Sequence, residues 1–210
     1  MKMKTSNPKN KMIRQLIREM LMVEAAYTPE TAAASGLSFK VYPTKWGRGG
    51  WTVVCEKKGE YWALGKISIA LPLGMGKCLG AYEVGKSHSS SLFDGLGPLL
   101  YDIAMEMAGP AGLMSDRRTV SSSARRVWDF YLKSRSDVTN HQLDSRPGTI
   151  TPDVEEDDCV QISSVGRDYI EGGEDWKDSP LSKVYRKRGT PTIDKLKRLG
   201  IIDIMSSEPK

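Results

Sequence analysis

The chain has 210 residues, 39% of them hydrophobic, a formal net charge of +5 and a pI near 9.0. That length suits one large domain or a domain with an appendage, and the apolar content is enough for a true core. The charge excess is small for a dedicated nucleic-acid binder, and no apolar run reaches the roughly 18 residues of a membrane span. The three cysteines, Cys55, Cys78 and Cys159, are odd in number and far apart, so neither a disulfide framework nor a zinc pattern is implied. A reducing, cytoplasmic setting is the simpler expectation.

In the first segment, charges interrupt the apolar positions, so the continuous apolar core of about 7–15 residues that a signal peptide needs is not formed. Ile13, Leu16, Ile17, Met20 and Leu21 recur at helical spacing and predict a helix over 10–26, closed by Thr28-Pro29. Strands follow. "LSFKVYPT" alternates; "WTVVCE" places Trp51, Val53 and Cys55 on one face; "YWALGKISIAL" is a third strand, with Gly65 marking a bulge or bend; "CLGAYEV" is a short fourth. Their connections are too short for crossover helices, which predicts an antiparallel meander.

A helix then starts near Gly97, with Pro98 where a missing N–H is harmless, and ends at Gly109-Pro110. Its buried stripe is Leu96, Leu100, Ile103 and Met107, with Asp102 and Glu106 facing outward. "AGLMSDR" reads as a short strand. A second helix begins in "TVSSSA", buries Ala124, Val127, Trp128 and Tyr131, and carries an Arg125–Asp129 pair outside. Beyond Ser136 the pattern weakens to one strand near "CVQIS" and a final helix or strand in "TIDKLKRLGIIDI". The acidic run "DVEEDD" lacks the spacing of a calcium loop and reads as a solvated loop, with no metal assigned. The basic run "KVYRKRGTPTIDKLKRLG" offers nucleic-acid phosphates a contact surface, or is a solvated tail.

Gly95 and Gly97, just before a helix, let backbone amides and the positive end of the helix approach an anion closely. The alternative is a tight strand-to-helix turn. In this context "VVCEKKGEYWALGKISIAL", "CLGAYEV", "LFDGLGPLLYDIAMEMA" and "GLMSDRRTVSSSARRVWDFY" resemble the second to fifth strands, pyrophosphate loop and two helices of the GNAT acyltransferase family. The likeness spans about residues 51–133 and extends to the divergent bacteriophage-encoded members. It implies an α/β (α+β) fold with a mixed, mainly antiparallel central sheet flanked by helices. Residues 1–145 would form the acyltransferase domain, and residues 146–210 a partly irregular extension packed on it.

The resemblance further implies acetyl-coenzyme A as co-substrate and an amine acceptor, with acetyl transferred from one to the other. The loop Leu92, Phe93, Asp94, Gly95, Leu96 and Gly97 would cradle the pyrophosphate. The strand at Val84 would splay to admit the pantetheine arm, and Ser121 stands where the family often has Asn. Glu83 is the candidate general base and Tyr131 the candidate proton donor, because Trp128 occupies the family's tyrosine position and indole has no proton to give a thiolate. Leu92 replaces the family's Gln or Arg. His88 is an alternative base, and "GKSHSSS" reads as an insertion between strand and loop. The runner-up function is an inactive GNAT-like phage protein that binds a host protein or nucleic acid. The sequence leaves acceptor and oligomeric state open.

Overall fold

The computed structural model describes residues 26–44, 48–146, 150–162 and 176–207. The helix expected over 10–26 lies almost wholly outside them. Thr28-Pro29 opens a helix, α1 (Pro29–Ala34). The Thr28 hydroxyl accepts the Thr31 amide and the Thr31 hydroxyl accepts the Thr28 amide, so both free donors of the turn are satisfied.

Four strands then follow, each antiparallel to the next: β1 (Leu37–Pro43), β2 (Gly50–Lys57), β3 (Gly65–Ala70) and β4 (Tyr82–Ser89). Phe39, Val41, Val53, Cys55, Ile67 and Ile69 are buried in the main core. The third strand starts later than its sequence suggests. Tyr61 and Trp62 stand outside it, 95% and 77% exposed, because "KKGEYWAL" is consumed by the turn. Gly65 marks no bulge. A Cβ there would lie 2.8 Å from Leu100 Cδ1 and 2.9 Å from Leu96 Cδ2, so this glycine lets the following helix settle onto the strand. The register slip falls instead across from it, where Ser68 faces Lys86 and Ile69 faces Val84, leaving Gly85 as the extra residue.

α2 (Leu96–Ala108) crosses the core face of β2 and β3, and β5 (Leu113–Met114) then pairs parallel to β4. Leu96, Leu100 and Ile103 are buried as expected, but Glu106 is buried too, against expectation. Its carboxylate accepts Lys187 Nζ at 2.6 Å and the amides of Thr192 and Ile193 at 2.9 and 2.8 Å. An anion flanked by a cation and a helix N-terminus is tolerated where an unpaired one is not. α3 (Ser122–Ser134) follows, capped by Ser121, whose hydroxyl accepts the Ala124 amide.

β6 (Val138–Gln142), β7 (Lys183–Lys187), α4 (Pro191–Arg198) and β8 (Ile202–Ile204) complete the chain. The result is a single mixed eight-stranded sheet in the order β6-β7-β5-β4-β3-β2-β1-β8, with β4–β5 and β1–β8 parallel. Residues beyond 146 therefore supply two strands of the sheet itself. The run "KVYRK" is β7: Val184 and Tyr185 are fully buried, and the Lys187 side chain is only 3% exposed. "CVQIS" forms no strand among its described residues; only an isolated bridge, Asp144 to Asp158, precedes it.

The cysteine arithmetic is also corrected. Cys78 and Cys159, 81 residues apart, form a disulfide, and only Cys55 stays free. Contacts no sequence pattern encodes bring them together: the Cys78 amide donates to Asp158 O and the Val160 amide to Met75 O. A stable disulfide belongs to oxidising surroundings, so the argument for a reducing compartment loses its ground. Among the described residues, no helix is long and apolar enough to cross a membrane.

Candidate functional site

β4 and β5 are paired only at Tyr82–Leu113 and Glu83–Met114. Beyond that point β4 continues to Ser89 on β3 alone, while the chain after β5 turns away toward α3. The far half of β4, Gly85 to Ser89, is exposed. The stretch read as an insertion, "GKSHSSS", is thus mostly strand, and its second edge has no partner strand among the described residues. An unpaired edge offers a row of amide and carbonyl groups. Between the parting strands lies a cleft of about 310 Å³, walled by Val84–His88 on one side and by Asp116, Thr119–Ser121 and Ala124 on the other, with Tyr101 and Trp128 also lining it.

Of the residues expected to act, Val84 and Ser121 line this cleft. Glu83 is not among the lining residues; it stands just before Val84 at the root of the cleft, where the strands are still paired opposite Met114, with its side chain 9% exposed. Its Oε1 lies 3.7 Å from Arg48 Nη1, while Oε2 is buried with no hydrogen-bond partner. Burial, and then the nearby Asp116 carboxylate, raise its proton affinity above the ordinary carboxylate range. The Arg117 amide and the charges of Arg48 and Arg117 pull the other way without prevailing. Arg117 is itself wholly buried, donating to the carbonyls of Val160, Leu181 and Cys159, and burial lowers its pKa to about 10.

Tyr131 is placed elsewhere. Its hydroxyl donates to Asp102 Oδ1 at 2.8 Å and lies 3.1 Å from Pro98 O, its ring packs among Trp128, Phe130 and Tyr185, and it does not line the cleft. Tyr101, which sequence reasoning passed over, does line it. Its hydroxyl is 3.0 Å from Ser87 Oγ and its ring meets Trp128 edge-on at 5.2 Å. Burial raises its affinity for the phenolic proton, so it stays protonated at neutral pH. Nothing in the sequence distinguishes Tyr101 from the apolar stripe of Leu100 and Ile103 beside it. His88 is an exposed residue of the cleft wall.

The loop follows directly. Ser91–Phe93 form a single tight turn capped by Ser90, Leu92 is 85% exposed, and Lys57 Nζ lies 5.7 Å from the Phe93 ring centroid. Asp94 leads into Gly95, whose φ of 86° is a left-handed conformation that only glycine adopts readily. Its carbonyl accepts the Tyr27 amide. Leu96 is fully buried. Gly97 differs from both: its backbone is helical and a Cβ there would meet nothing within 4 Å. The fold does not require glycine at this position, and in a helix glycine is less stable than alanine by about 0.5–1 kcal/mol. No side chain caps the first turn of α2, unlike α3, so its amides remain free to meet an anion. Gly97 and Tyr101 are four residues apart on one helix and share a face, which runs the loop into the cleft. Cys55 is no nucleophile, since it is fully buried and burial pushes its thiol up to about 12.

Comparison of this chain with protein-family models, with curated proteins and with solved structures finds no match.

Proposed function

We propose that the protein is an acyltransferase of the GNAT type, moving acetyl from acetyl-coenzyme A to an amine. The observation that carries this reading is the parting of parallel β4 and β5, which opens a cleft with a free strand edge on one wall. A pantetheine arm is extended and carries two amides, so it suits an edge that lacks a partner strand. The uncapped start of α2, with Gly97 leaving room above it, suits the pyrophosphate.

In this scheme the acceptor nitrogen attacks the thioester carbon, the carbon–sulfur bond breaks, and the amine proton and the thiolate must be dealt with. Glu83, the one carboxylate at the cleft root with an unpartnered oxygen, takes the proton from the amine. Tyr101 replaces Tyr131 as the group that gives a proton to the thiolate, because its hydroxyl faces the cleft wall whereas that of Tyr131 is engaged by Asp102. Holding the two reactants together supplies much of the acceleration, about 7–11 kcal/mol in favourable cases. The second reading, a binding protein that keeps the fold without turnover, draws support from Trp128 filling the family's tyrosine position against the cleft. The nucleic-acid surface expected from the basic run loses Tyr185 and Lys187 to burial and keeps Arg188, Lys195, Lys197 and Arg198 exposed.

Calorimetric titration with acetyl-coenzyme A, followed by release of free thiol across a panel of amines, tests the proposal. Binding with thiol release supports the enzyme; absence of binding refutes it and leaves the second reading, a protein that acts by binding a host protein or nucleic acid.

A further inference from the structure

The acidic run read as a solvated loop is exposed from Asp153 to Glu156, but its last two residues turn inward toward Asp144. Asp144 is fully buried, Asp157 is 8% exposed and Asp158 is half-buried. One carboxylate oxygen from each lies within 4.8 Å of the others. Backbone bonds fix the arrangement: the Asp144 amide donates to Asp157 O, and the Cys159 amide donates to Asp144 O, one residue from the disulfide that anchors this segment to Cys78.

The two buried carboxylates differ in how they are satisfied. Asp144 accepts the Ile150 amide at 3.0 and 2.9 Å on its two oxygens and the Thr151 amide at 3.2 Å, the bonding pattern of an anion. Asp157 Oδ2 accepts the Thr151 hydroxyl at 2.7 Å, and that same hydroxyl lies 3.5 Å from Asp144 Oδ2, so the two carboxylates are turned toward one point. Asp157 Oδ1 is buried with no hydrogen-bond partner. A buried carboxylate oxygen left without a donor is costly, and a second anion alongside makes it more so. Lys77, next to the bridged Cys78, is engaged by Glu155 and Glu156 on the outside.

We propose that Asp144, Asp157 and Asp158 bind a divalent cation, with Asp157 Oδ1 as a direct ligand. The donors are all oxygen, which selects a hard ion. Oxygens within 4.8 Å of one another fit around either calcium or magnesium; a set made of protein carboxylates, which bind in either mode, favours calcium, since magnesium usually keeps several waters. The ion is structural. It ties the turn carrying Asp157 to the end of β6, beside the Cys159 and Val160 carbonyls that hold Arg117 under the cleft. This inference is independent of the acyltransferase reading.

The test is calcium chloride titrated calorimetrically into the full chain after chelator treatment and buffer exchange, with melting temperature followed in parallel. One equivalent should bind with a dissociation constant below about 1 mM, melting temperature should rise with calcium, and magnesium should bind at least about tenfold more weakly. Asp157→Asn should abolish both responses. Should that variant fail to fold, Asp158→Asn, at a half-buried position, should weaken calcium binding at least about tenfold while keeping the native circular dichroism. Absence of binding up to about 5 mM calcium overturns the proposal. Binding that survives both substitutions overturns it as well. So does a wild-type melting temperature indifferent to calcium but raised by Asp157→Asn, which would assign a shared proton in place of the ion.

Discussion

Gly97 separates what the fold requires from what a ligand requires. A methyl group there meets no atom within 4 Å and the backbone is already helical, so Gly97→Ala should stabilise the protein by about 0.5–1 kcal/mol. For a chain of this size that is a rise of roughly 1–4 °C in melting temperature. The same methyl stands over the amides of the first turn of α2. If it displaces the pyrophosphate from one charge-assisted hydrogen bond, the loss is about 1.5–3 kcal/mol, or roughly tenfold to a hundredfold in affinity. Gly97→Trp should remove binding of acetyl-coenzyme A while still folding. Gly95→Ala is the contrasting control: its φ of 86° makes any side chain strained, and it should lose about 1–2 kcal/mol of stability. The paired readouts are thermal unfolding and calorimetric titration with acetyl-coenzyme A. If Gly97→Ala gains stability and binds as tightly as the wild type, the loop is only a turn and the reasoning fails.

Three further outcomes are expected. Glu83 has a raised proton affinity in the folded state, so its contribution to stability is complete below the ordinary carboxylate pKa and is lost as pH rises through the folded value. Glu83→Gln should therefore unfold later than wild type near pH 8 and match it near pH 4, and thiol release should fall about 10²–10⁴-fold with loss of the acidic limb of the rate profile; an unchanged profile removes Glu83 as the base. Tyr101→Phe should lower turnover with little change in acetyl-coenzyme A affinity, whereas Tyr131→Phe, which strips a buried hydroxyl from Asp102, should lower melting temperature and leave the rate per folded molecule near wild type; the opposite pairing would restore Tyr131 as the donor. Cys159→Ser opens a loop spanning 81 residues and should cost about 4 kcal/mol, read by denaturant unfolding with and without reductant; equal stability in both conditions would show that the bridge does not form in solution.

The part of the fold that can be read from the sequence is the part held by local signals. The four-strand meander follows from alternation and short connections, and both long helices follow from periodicity, the Ser121 cap and the Gly109 stop. Where tertiary contacts decide, local reading goes astray. Glu106 is charged and falls on the side away from the predicted stripe, yet it is buried because Lys187 and the start of α4 come to it from 80 residues away. The basic run becomes an inner strand because β5 and β6 leave a gap that only β7 fills. Gly65 shows the right residue with the wrong cause, since close helix packing and a bulge both call for a missing Cβ. At the cleft, Val84 and Ser121, singled out through the resemblance, are lining residues; Tyr101 was not singled out, because its hydroxyl is set apart from the core only by Ser87 across a strand the sequence presents as a loop.

The most direct measurement is a crystal structure of the chain with coenzyme A. The account predicts the pantetheine arm running along the free edge of β4 at Gly85–His88, between β4 and Ser121, with the pyrophosphate on the amides of Gly95–Gly97. Coenzyme A bound elsewhere, or a cleft empty at saturating ligand, would contradict it.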